Sequence, residues 1–147
     1  MYAILLGPIL SGCALLYGRM APVNLQEPGW TVRQGQAVWK LPGGHDIAGD
    51  VLVATGQANK SFVQFTKTPF PLLVGQTSDN HWQVEIPAEK KFYAGPGAPP
   101  KRLIWLYLPR ALVGQSLPGG WTWREAQGDW RLQNQKTGES IEGFFAQ

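Results

Sequence analysis

Few side chains in this sequence could do chemistry: one cysteine, Cys13, two histidines, His45 and His81, and a thin scatter of carboxylates. His45 precedes Asp46, but neighbours on a strand point to opposite faces and no nucleophile is placed beside them. His81 shares a strand face with Glu85, yet four extended residues put about 13 Å between them, too far to share a proton. Nothing fixes the separation of Asp46 and Asp50, as paired acid-base carboxylates would need. The Pro-Gly-Gly pieces at 42–44 and 118–120 lack the lysine and following helix of a phosphate loop, and read as turns. Neither histidine belongs to a spaced metal-ligand set, and a single cysteine can form neither an internal disulfide nor the cysteine pairs of a zinc site. The expectation is a protein that is not an enzyme, with no catalytic residue, metal or cofactor; a small secreted hydrolase is a distant third reading.

Cys13 lies in ILLGPILSGCALL, residues 4–16, and no charged side chain precedes Arg19. An uncharged run of this length is at the bottom of the range for a membrane helix, and Gly7, Pro8 and Gly12 interrupt it. Cys13 is therefore a core thiol, part of a membrane span, or an attachment point. The early part reads best as the apolar region of an export signal, with small Ser11 and Gly12 where a peptidase needs uncrowded backbone. The quartet Leu10-Ser11-Gly12-Cys13 resembles the lipobox of bacterial lipoproteins. That resemblance implies a signal over residues 1–12 and an acylated Cys13 as first residue of the mature chain, with membrane lipid as its partner. Ala14 stands where an inner-membrane retention mark would be Asp, which implies an outer-membrane anchor facing the periplasm, inner-membrane anchoring being the alternative.

The elements that follow must form one domain, because 147 residues suit a single core better than two. Thirteen basic residues against ten acidic ones give +3, but they are scattered and form no stripe for a nucleic-acid backbone. Residues 13–34 read as an irregular tether broken by Pro22, Pro28 and Gly29, and 35–147 as the folded domain. Two-residue periodicity predicts strands around 37–41, 47–54, 61–68, 72–76, 81–86 and 91–94, then 121–125, 130–133 and 140–145. HWQVEI is the clearest of them: Trp82, Val84 and Ile86 alternate with His81, Gln83 and Glu85. Gly95 to Lys101 reads as a loop or crossover; in residues 102–115 Ile104, Trp105 and Tyr107 would suit a strand, but Arg110 to Val113 followed by Gly114 favours a short helix, which Pro109 would kink or interrupt.

The fold class expected is mainly β: a strongly curved antiparallel sheet with one or few short helices. Its one-sided strands place Trp39, Val51, Val53, Trp82, Val84, Ile86, Trp130 and Leu132 along a concave apolar surface, which must be covered, filled or docked. IAGDVLVATG, HWQVEIPAEKKFYAG, the Leu108-Pro109-Arg110-Ala111-Leu112 segment and GDWRLQNQKTGE together resemble lipoprotein carriers and receptors with the LolA/LolB-like half-barrel. The resemblance implies a curved antiparallel sheet with helices in its concavity, a hydrophobic space that accepts acyl chains, and a role in lipoprotein localisation to the outer membrane. Its partners would be lipoprotein acyl chains or a periplasmic carrier protein, with no nucleic acid. Pro69 to Leu73 is the best counterpart of a protruding membrane or partner loop, through Phe70 and Leu72. The alternative function is a structural or assembly lipoprotein that uses the curved sheet only to dock protein. An empty, accessible apolar cavity favours the first function, a completely packed concavity with an exposed apolar rim the second.

Overall fold

A computed structural model of the protein describes residues 18–147. Its strands are β1 (Thr31–Lys40), β2 (Asp46–Thr55), β3 (Ser61–Lys67), β4 (Phe70–Thr77), β5 (His81–Ile86) and β6 (Lys91–Pro96). After α1 (Ile104–Leu112), the one α-helix among the described residues, come β7 (Trp121–Ala126), β8 (Asp129–Asn134) and β9 (Ser140–Phe145). A 3-10 turn, Pro87–Glu89, joins β5 to β6. All nine strands form one antiparallel sheet in the order β6-β5-β4-β3-β2-β1-β9-β8-β7, and the two edges do not meet.

The sheet bends around α1. The helix touches β2, β3 and β4 on one side and β8 and β9 on the other. On a flat sheet β4 and β8, five positions apart in the strand order, would be roughly 24 Å apart, about twice the width of a helix. Glycines permit the bend. A methyl group on Gly35 of β1 would run into the carbonyl oxygen of Phe144, and one on Gly143 of β9 into that of Gln36.

The helix is apolar nearly all round, as a helix inside a concavity must be. Ile104 to Pro109 and Ala111 are buried, and Leu112 packs at the margin. Pro109 removes one backbone donor without breaking the helix, which stops about one turn later at a glycine cap. Gly114 takes a φ of +76°, its N–H donates to Ala111 O, and the Gln115 N–H donates to Arg110 O. These are the paired bonds by which a left-handed residue satisfies the last carbonyls of a helix.

Two boundaries, and the placement of residues 18–30, differ from the sequence reading. β1 begins at Thr31, so residues 31–34, assigned to the tether, belong to the sheet; Thr31 pairs with Thr55 because β2 runs far enough to meet it. Residues 18–30 are irregular, as expected, but they lie against the sheet: the Met20 N–H donates to Gln83 Oε1 at 2.6 Å, and Arg19 reaches Glu85 Oε2 at 3.0 Å. The loop expected from Gly95 begins two residues later, because β6 is an edge strand whose last residue can be proline.

Candidate functional site

The concave face carries the residues expected to line a cavity, and α1 fills the space between them. Val51, Val53, Val84 and Leu132 are at most 2 % exposed, Trp130 3 % and Trp82 8 %. Trp39 packs on this core from its margin, and Ile86, at the end of β5, is half-buried. The centre is an aromatic cluster. Trp105 of α1 stacks on Phe65 of β3 at 4.5 Å between ring centroids, and the edge of Trp39 meets Trp105 at 5.8 Å. Towards the other edge, Trp121 tilts against Tyr107 at 4.9 Å and Trp123 stacks on Trp130 at 6.3 Å. Beneath α1, Gly75 of β4 lets the helix come so close that a methyl group there would strike Leu106. The structure therefore brings Val51, Val53, Trp82, Val84, Trp130 and Leu132 together in a packed core, with Trp39 at its margin.

Phe70 and Leu72 separate. The turn between β3 and β4 is only Thr68-Pro69, so the expected apolar loop is the tip of a tight hairpin, with Lys67 paired to Phe70. Phe70 is 69 % exposed at that tip, whereas Leu72 is the extra residue of a β-bulge and packs against the core. Cys13 and the signal expected over residues 1–12 lie outside the described residues.

The polar candidates stay apart. His45 and Asp46 are exposed at the β1–β2 turn, and Asp50 accepts a hydrogen bond from Thr68 Oγ1 at 2.8 Å. Glu85 pairs with Arg19 at 3.0 Å. Among the described residues no group of three or more His, Cys, Asp or Glu could hold a metal ion.

One acid has a perturbed environment that sequence reasoning missed. Glu139, in the β8–β9 turn, accepts a hydrogen bond from Trp39 Nε1 at 3.0 Å. Burial pushes its carboxyl above the ordinary value of 4.5, and the indole donor only partly offsets this. A raised native value means that the folded state holds this proton more tightly than the unfolded chain. The resulting stability is full below the unfolded carboxylate value and is lost as pH rises through the folded one. Glu139→Gln keeps an acceptor for Trp39 and removes the charge. Its thermal midpoint is expected to match the parent at about pH 4 and exceed it at about pH 7. Equal differences at both values would show that Glu139 ionisation does not matter to the fold.

A depression on the opposite, outer face has a volume of about 890 Å³. It crosses β2, β1, β9, β8 and β7, and among its lining residues are Asp50, Arg124, Arg131 and Phe144. Phe144 is 47 % exposed on this face, while Glu142 beside it takes Lys40 at 2.8 Å and Arg131 at 3.6 Å. Small or mixed side chains in the outward phase, such as Ala48 and Val38, are the only sequence trace of this surface. No family model matches the chain, and no curated protein matches it.

Proposed function

We propose that the protein is a membrane-anchored periplasmic lipoprotein of LolA/LolB-like design, held by acylated Cys13, that works without enzymatic chemistry by docking protein on its curved sheet. The observation that carries this reading is the occupied concavity: the apolar face that would receive an acyl chain is already covered by α1. Returning Ile104, Trp105, Leu106 and Leu108 to water would cost on the order of 6–12 kcal/mol. A half-buried acyl chain supplies several kcal/mol, at roughly 0.8 for each methylene. The balance favours a helix that stays in place. The outer depression, with charges of both signs around Phe144, is the surface best suited to a protein partner, whose interface would mix polar rim and aromatic anchor.

A second reading, transfer of lipoprotein acyl chains to the outer membrane, draws on one specific feature. The indole N–H groups of Trp105 and Trp130 are buried and have no hydrogen-bond partner among the described residues. A carbonyl at the head of an acyl chain would satisfy one of them if α1 swung aside on its flanking segments at Gly97 and Gly114. The exposed Phe70 tip would then touch membrane or carrier.

Anchoring is common to both readings. Intact mass of the detergent-extracted protein is expected to show loss of residues 1–12 and a triacylated Cys13, since two or more chains are needed for stable attachment. A mass showing an unmodified Cys13 in the membrane fraction would overturn the anchor.

A further inference from the structure

We infer that β7 is a pairing edge at which a second copy of this chain adds its own β7, antiparallel, so that the two sheets become one. β7 is the last strand of the sheet and is bonded only to β8. The hairpin between them fixes which backbone groups are left open. Gln127 and Gly128, at φ +55° and +86°, make a two-residue turn closed by Ala126 and Asp129. At the other end of the pair the Gln135 N–H donates to Gly120 O at 2.9 Å. Gly120, Thr122, Arg124 and Ala126 therefore turn their N–H and C=O groups towards β8, while Trp121, Trp123 and Glu125 turn theirs outwards. The Trp121 N–H is taken by Pro118 O at 3.2 Å. The Trp121 C=O and both backbone groups of Trp123 and Glu125 have no backbone partner among the described residues.

The two edges of the sheet are not alike. β6 is guarded against pairing: Lys90 and Lys91 stand at its start, Pro96 ends it, and Arg19 lies over Phe92. β7 has no proline, no lysine and no bulge. Its charges choose a register instead of forbidding one. With Trp123 opposite Trp123 of the second copy, the two residues exchange both backbone bonds, and each Glu125 N–H reaches the other copy's Trp121 O. Arg124 then faces Thr122, and Glu125 faces Trp121. The rings of Trp123, half-buried at the margin of the core, meet on the concave side. Sliding one copy by about two residues sets Arg124 against Arg124, and by about four sets Glu125 against Glu125, like charges directly opposite. The opposite slide calls on the Trp121 N–H, which Pro118 already holds. A shift of about one residue would put inward side chains opposite outward ones. The edge is thus complementary to itself in a single register.

A contact of this size is small beside a standard interface, so its lifetime is short and a covalent trap is the fitting readout. Cross-linking is carried out on the full chain bearing Cys13→Ser, with one new cysteine in each version, Thr122→Cys or Arg124→Cys. In the stated register these positions face each other as a non-hydrogen-bonded pair, close enough for a disulfide. Under mild oxidation a mixture of the two versions is expected to form covalent dimer about fivefold faster than either alone. Glu125→Pro in both versions removes an N–H that points away from β8, so the fold should keep its urea midpoint while the cross-linking rate falls about fivefold. Equal rates in the mixture and in either version alone would overturn the register. A rate unchanged by Glu125→Pro would overturn the backbone edge as the contact. No covalent dimer would overturn the second copy as occupant and leave the edge to a strand of another protein.

Discussion

Trp105→Ala is expected to lower the unfolding free energy by about 3–5 kcal/mol, the range for truncating a buried tryptophan. Trp105 is 1 % exposed and is the joint between helix and sheet, stacked on Phe65 and met edge-on by Trp39. Its loss leaves a cavity on three sides. Neither ring can move in without leaving its own strand. Against a typical total of 5–15 kcal/mol, the variant should have a much reduced urea midpoint at a similar slope, with weakened near-ultraviolet dichroism. Phe70→Ser, by contrast, removes a side chain that water already reaches and should change stability by less than about 0.5 kcal/mol. A Trp105→Ala loss under about 1 kcal/mol would mean that α1 is not packed as described.

Gly143→Ala is expected to cost as much or more, about 3 kcal/mol upward, although it adds one methyl group. The obstruction is backbone. The new carbon would meet the carbonyl oxygen of Gln36, and it would lie 2.9 Å from the Cα of Ala37 in the neighbouring strand, so no rotamer change relieves it. The pairing of β1 with β9 joins the two halves of the sheet, so a forced separation there should flatten the bend and loosen α1. Gly138→Ala at the β8–β9 turn is a useful comparison: its φ of +78° makes alanine strained, but nothing lies within 4 Å. A milder loss of about 1 kcal/mol is expected there. Denaturant melts of the two variants should therefore rank Gly143 well above Gly138. The reverse order would remove the close approach of β1 and β9 as the origin of the curvature.

The contrast between these sites also shows what a sequence can reveal. Alternation made HWQVEI legible as a strand, and its apolar phase, Trp82 and Val84, is the buried one. The helix was legible from Arg110 to Gly114 because a terminal glycine is required by backbone geometry, whatever surrounds it. Local pattern did not show how the helix would sit. Whether apolar strand faces enclose a hollow or a helix depends on contacts between residues distant in sequence, such as Trp105 with Phe65 and Leu106 over Gly75. The same limit hid the docking of residues 18–30, which depends on Gln83 and Glu85 more than 60 positions away. Phe70 illustrates the intermediate case: the flanking prolines marked a break between strands, but neither its exposure nor the bulge that turns Leu72 into the core was legible.

Titration of the full chain with a fluorescent fatty acid, followed by both probe emission and tryptophan quenching, decides most directly whether the concavity is filled by the protein itself. With α1 seated on Phe65, Val63 and Leu132, the probe should show no saturable binding and leave tryptophan emission unchanged. Saturable binding near one probe per chain, with energy transfer from tryptophan, would show that the helix yields its place and that acyl transfer, not protein docking, is the function.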